Sequence, residues 1–184
     1  MPVQVTYRRT TRLSMRIAKN GDVHVSVPWG VPKFTVERFI ESHREWIEKA
    51  RQKTLENQAQ RDQFYAQLPL QTKVQKAEAN CRLAAIIKPM VARHAAEMGV
   101  QPAAITYKPM KSKWGHCLVR SRTICFSTYL LLLPEWCIEH VVVHELCHLL
   151  QSGHGPRFHA LMDRFFPEWR AANKETIRLS RNRN

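Results

Sequence analysis

Paired cysteines are missing from this sequence. Its five cysteines, Cys81, Cys117, Cys125, Cys137 and Cys147, are odd in number and widely spaced, and none stands in a CxxC pair. That pattern argues against a disulfide framework or a four-cysteine zinc site and predicts reduced, mostly buried thiols. Acids are scarce as well: 15 Asp and Glu against 29 Lys and Arg leave a net charge of +14. Such an imbalance fits an anionic partner, whether nucleic acid, nucleotide or acidic surface, and fits equally a set of solvated side chains. Long apolar runs are also absent, since "YLLLLP" and "CIEHVVV" are far too short to span a bilayer. The opening "MPVQVTYRRTTRLSMRI" alternates apolar with polar or basic residues and holds no apolar segment of signal-peptide length. We therefore expect a cytoplasmic protein with no membrane partner. There is no internal repeat, no low-complexity segment and no Walker-type glycine loop, so any grip on phosphate rests on Lys and Arg.

What is present suits a folded domain. A chain of 184 residues is long enough for one real core and short for two, and 44% hydrophobic with 24% charged residues is ordinary for a globular protein. The expectation is a single domain over 1–184, with an N-terminal β-hairpin and helix part at 1–70 and a second part at 71–184. In the first part, "VQVTY", "LSMRIA" and "VHVSVP" alternate with period two, and Asn20-Gly21-Asp22 supplies a turn, which predicts a hairpin or meander. "FTVERFIESHREWIEKARQKTLENQ" carries Val36, Phe39, Ile40 and Ile47 at helical spacing, with Thr35 as the expected cap. Its polar continuation, "RQKTLENQAQRDQ", reads as an exposed helix end or hinge. From Thr72 to Gly99 a second long helix is expected, kinked or split at Pro89 and ended by Gly99. "RTICFST" is the clearest later strand, and the region from Glu135 onward reads as helical, with Pro156 opening a helix in the first-turn position that proline tolerates. Strands, helices, strands and helices in this order predict an α+β fold with a small sheet.

The stretch "VVVHELCHLLQSGHG", 141–155, concentrates the chemistry. HExxH on a helix stacks residues i and i+4 on one face, so His144 and His148 can present ring nitrogens to one metal. Glu145 projects from the adjacent face, where a carboxylate can serve as general base toward a metal-bound water. Two histidines leave a catalytic zinc one protein ligand short. The break after Leu150 suggests the third: a left-handed Gly153 would reverse the chain and carry His154 back to the metal. His159, Asp163 and Glu168 are the rivals, with His159 on the polar side of a helix whose apolar stripe is Phe158, Leu161, Met162 and Phe165. Cys117 and Cys147 read as core thiols. The acid-free segment "YKPMKSKWGHCLVRSR", 107–122, offers Lys113, His116, Arg120 and Arg122 as substrate-binding candidates able to hold phosphate or an oxyanion. Trp46, Trp114, Trp136 and Trp169, with Tyr107 and Tyr129, read as packing residues.

With "SKWGHC", "ICFSTYLLLLP", "VVVHELCHL", "GHGPRF" and "FPEW", the sequence resembles the YgjP-like metallopeptidases, metal-dependent hydrolases related to SprT-like and other minimal zincin proteases. The resemblance covers nearly the whole chain. It implies a minimal zincin-like α+β domain: a small N-terminal sheet, long helices and an HExxH active-site helix. It further implies zinc on His144, His148 and His154, and Glu145 as catalytic acid and base. The chain departs from the family's usual tryptophan-glycine-serine-cysteine by carrying His116 in the serine place, and from asparagine-histidine-serine by carrying Gly153-His154-Gly155. The leading functional expectation is a zinc-dependent metallopeptidase acting on a peptide or protein. Two other readings stand beside it: a zinc-dependent nucleoside triphosphate pyrophosphohydrolase gripping an anionic nucleotide through the 107–122 segment, and a basic nucleic-acid-binding protein with a structural zinc.

Overall fold

The computed structural model describes residues 3–181. The chain divides into two compact units, Met1–Asp62 and Gln63–Asn184. Among the described residues no helix is long and apolar enough to cross a membrane, and the five cysteines are free.

The first unit holds strands β1 (Val3–Arg8), β2 (Ser14–Ile17) and β3 (Val23–Pro28), helix α1 (Lys33–Ser42) and most of α2 (Arg44–Ala66). The three strands lie where period-two alternation predicts them, but they do not form a meander. Strand β3 is central: β1 pairs with it in parallel, Val5 beside Val25, and β2 antiparallel, Met15 beside Val25. The physical reason is burial. Val23, Val25 and Val27 are fully buried, so the all-valine face takes the centre, while the strands flanked by arginine sit at the edges, where charge discourages further pairing. The β2–β3 turn is the expected one, with Gly21 at φ 83° and the Asn20 amide donating to the Asp22 carboxylate at 2.7 Å. Val36 and Ile47, with Phe39 and Ile40 packed beside them, complete this core.

Two helix boundaries differ from the sequence reading. Thr35 is not the cap: the Pro32 carbonyl already accepts from the Thr35 and Val36 amides at 3.1 and 3.4 Å, so α1 begins at Lys33. The expected continuous helix also breaks at His43, whose ring nitrogen donates to the Phe39 carbonyl at 2.7 Å, a local bond that competes with the helical ladder.

The second unit is built on α3 (Lys73–Met98), β4 (Ala104–Lys108), β5 (Gly115–Leu118), β6 (Thr123–Ser127), a 3₁₀ turn (Thr128–Leu132), α4 (Glu135–Cys147), α5 (Pro156–Phe165) and α6 (Trp169–Arg181). Helix α3 opens on a capping box between Thr72 and Gln75 and closes on Gly99 at φ 64°. It runs unbroken through Pro89, because Pro89 and Ala85, whose carbonyl loses its partner, are both exposed and water can satisfy that oxygen. The sheet repeats the arrangement of the first: β4 is parallel and β5 antiparallel to a central β6, whose Ile124 and Phe126 are fully buried. Leu83, Ile87 and Val91 of α3 share a continuous core with β6, α4 and Phe158 and Met162 of α5. Of the tryptophans read as packing, Trp46 and Trp136 remain 49% and 40% exposed, so these two are surface residues.

Candidate metal centre

Helix α4 is buried almost all round: Cys137, Val142, Val143, Leu146 and Cys147 are at 0% exposure. Ionisable side chains are costly in such a helix, yet His140, His144 and Glu145 all lie on it. The helix ends at Cys147, with His148 as its C-cap residue, so the second histidine of HExxH sits just past the last helical residue. The chain then closes a tight turn in which the Gln151 amide donates to the Cys147 carbonyl at 2.8 Å, and it reverses over 151–155. Gly153 does not supply a left-handed residue, since the positive-φ glycines are Gly21, Gly30 and Gly99. The tight turn after Cys147 and the start of α5 at Pro156 bring His154 round without one.

His154 arrives against the other two histidines. Its Nε2 lies 3.0 Å from that of His144, which is in turn 3.2 Å from that of His148. One ligand nitrogen from each ring falls within 4.8 Å of the others. Ligands held tetrahedrally on zinc stand about 3.3 Å apart, so the donor set fits a divalent cation in both type and spacing. His148 Nδ1 donates to the Gln151 carbonyl at 3.2 Å, which fixes the tautomer that leaves Nε2 free to ligate. Phe158, 2% exposed, forms the floor under the triad: its ring centre lies 4.9, 4.8 and 4.7 Å from those of His144, His148 and His154. Sequence periodicity assigns Phe158 to the core stripe of α5, and only the fold places it under the three imidazoles.

Burial dominates the electrostatics. It pushes His144 down to about 3, with the neighbouring His148, His140 and His154 adding to the effect, so the ring stays in the neutral form a metal requires. Burial pushes Glu145 up to about 8 against the pull of Lys113. Glu145 is 4% exposed and its Oε2 has no hydrogen-bond partner among the described residues. A dication at the triad would favour the carboxylate anion, in the same direction as Lys113. Cys147 is fully buried with its thiol pushed up to about 12 by burial, and it stands outside the histidine group.

Two cavities flank the triad and share Gly115, His144, Glu145 and His154 as lining. One, about 250 Å³, is walled by Trp114, Val141, Phe158 and Trp169. The other, about 300 Å³, carries His116, Cys117 and Ser152. His159 lines the aromatic cavity, stacked on Trp169 with ring centres 5.4 Å apart. Asp163 accepts a bond from the Trp169 indole at 2.8 Å and is paired with Arg170. Of the basic candidates, His116 lines the second cavity, and Lys113 is near enough for its charge to act on Glu145 and His116. Arg120 and Arg122 lie in the turn beyond β5 and line neither cavity, and Arg122 donates to the Gln101 carbonyl at 2.9 Å.

His140, 6% exposed, is pushed by burial from 6.5 down to about 4. The unfolded chain therefore takes up this proton first on acidification, and the folded state loses stability as pH falls from about 6.5 toward 4. We expect His140→Leu to recover about 2 kcal/mol of the stability the wild type loses between pH 7 and pH 5, read from urea midpoints at the two pH values. Parallel losses in the two proteins would refute the assignment.

The chain matches a family described as YgjP-like, metallopeptidase domain, over residues 11–71 and 70–178. No curated protein matches it. Among solved structures it is similar to the metallopeptidase zymogen jannalysin of Methanocaldococcus jannaschii, at 23% identity and a TM-score of 0.45, over 50% of this chain and 93% of that one. It is similar also to the zymogen abylysin of Pyrococcus abyssi, at 21% identity and a TM-score of 0.46, over 50% and 91% of the two chains. The family match takes in both the N-terminal strands from β2 onward and the histidine triad with its glutamate, and on it the chain belongs to the YgjP-like metallopeptidases, which makes it a metal-dependent hydrolase.

Proposed function

We propose that the protein is a zinc-dependent peptidase in which His144, His148 and His154 hold the metal and Glu145 is the catalytic acid and base. The observation that carries this reading is the convergence of three imidazole Nε2 atoms beside a buried carboxylate whose Oε2 has no partner among the described residues, with a cavity on either side. Bound there, zinc supplies a Lewis acid that polarises a carbonyl oxygen and acidifies a water. Glu145 takes the proton of the attacking water and passes it to the departing amine. Its burial makes it a stronger base than a solvated glutamate. Lys113 opposes that shift and keeps the carboxylate available. His116 lines the second cavity, and its proposed part is to donate a hydrogen bond to the peptide. Chelator-sensitive cleavage of peptides, without pyrophosphate release from nucleoside triphosphates, is the result that supports this reading over the nucleotide alternative.

The aromatic cavity sets a preference. Trp169 is held from three sides, by His159, Asp163 and Arg170, so that wall is rigid. A rigid apolar pocket discriminates by what it desolvates. Peptides with a large apolar or aromatic side chain next to the scissile bond should be cut about tenfold or more faster than those with an acidic one there. Profiling a peptide library by mass spectrometry reads this directly, and Trp169→Ala should flatten the profile. A wild-type profile already flat at that position would contradict the assignment.

A further inference from the structure

The glycine of "KWGHC" has no conformational reason to be glycine. Gly21, Gly30 and Gly99 adopt positive φ, and Gly153 and Gly155 face open space. Gly115 does neither. Its φ lies outside the left-handed range, yet a Cβ built on it would stand 2.6 Å from Glu145 Oε1, 2.7 Å from Cγ and 2.9 Å from Cδ. Contacts so short force one partner to move. Strand β5 is ill placed to yield, since Gly115 is paired with Phe126 and the adjoining Trp114 carbonyl accepts from the Ser127 amide at 2.7 Å. Helix α4 is wedged by Val142 and Leu146, both fully buried. What remains free to move is the Glu145 side chain.

We infer that Gly115 is a positioning residue for Glu145: the bare backbone of β5 fixes where the carboxylate stands over the cleft. The inference rests on the reading of Glu145 as the base. A side chain at 115 leaves the three histidines in place and turns the carboxylate away from its working position, so metal binding survives while turnover falls.

The test is a double-mutant cycle on the zinc-loaded protein, comparing Gly115→Ala, Glu145→Ala and the two together. In the Glu145 background, Gly115→Ala should lower the urea midpoint, keep about one zinc per chain, and reduce kcat on an internally quenched peptide 10–100-fold with KM changed less than threefold. In the Glu145→Ala background the same substitution should cost no stability, because the side chain it strikes is gone. The stability arm needs no turnover, so it stands even if no peptide is cleaved and the peptidase reading fails. An equal loss of midpoint in both backgrounds, or a Gly115→Ala enzyme with undiminished kcat, overturns the inference. If Gly115→Ala alone fails to fold, recovery of a folded protein in the double variant supports it, and failure of both overturns it.

Discussion

Glu145→Gln is expected to keep about one metal per chain and to lower peptide turnover by about 10²–10⁴-fold, the range that a positioned acid and base contributes. The substitution is nearly isosteric, so the cleft keeps its shape. The carboxylate is buried with Oε2 unpartnered, and burial already favours its neutral form. A neutral amide in that place replaces a group that burial already holds neutral in the metal-free protein, so the thermal midpoint of the metal-free form should stay close to that of the wild type. Glu145 is also not one of the three converging nitrogens, so metal content measured by elemental mass spectrometry should be unchanged. Only the proton transfer is lost. An active Glu145→Gln enzyme would sink the mechanism, and a variant that loses its metal would make Glu145 a ligand instead of a base.

The grouping of the three histidines was more legible than the structure around them. His144 and His148 followed from the i, i+4 spacing alone, because a helix leaves two such residues little choice but to share a face. His154 followed from the break after Leu150 and the reversal it implied, although the left-handed Gly153 invoked for that reversal is absent. The cap at Thr72 was written in its spacing to Gln75, a capping box that a search for apolar periodicity passes over. Two kinds of information were out of reach. Pairing between distant segments decides that β1 joins β3 in parallel, and no local pattern encodes a crossover. Close approach between backbone and side chain decides the roles of Phe158 and Gly115, which in sequence are a core aromatic and one glycine among six. The basic segment at 107–122 spreads over more of the surface than the two cavities do. Its charges are conspicuous in sequence, yet Arg120 and Arg122 lie beyond the cavity walls, and His116 is the member of the set that lines the cleft.

His154→Ala is expected to reduce the metal content from about one per chain to well below it and to abolish hydrolysis. Removing a direct ligand should cost more than the about 10–100-fold in affinity typical of losing an outer partner. Two nitrogens, from His144 and His148, would remain where a catalytic zinc needs three. The consequence for folding is separable. His154 is exposed, in the segment between α4 and α5, so its truncation opens no cavity in the core. The metal-free forms of variant and wild type should then melt together, and only the wild type should gain in melting temperature on adding zinc, by the increment that binding to the folded state alone provides. Full metal retention in His154→Ala would move the third ligand to another side chain. With Asp163 engaged by Trp169 and Arg170, His159 and Glu168 become the next substitutions. Absence of metal from both proteins, even after incubation with zinc, would instead remove the peptidase mechanism and leave the chain's excess of positive charge as the property to pursue, through binding whose affinity falls steeply with salt.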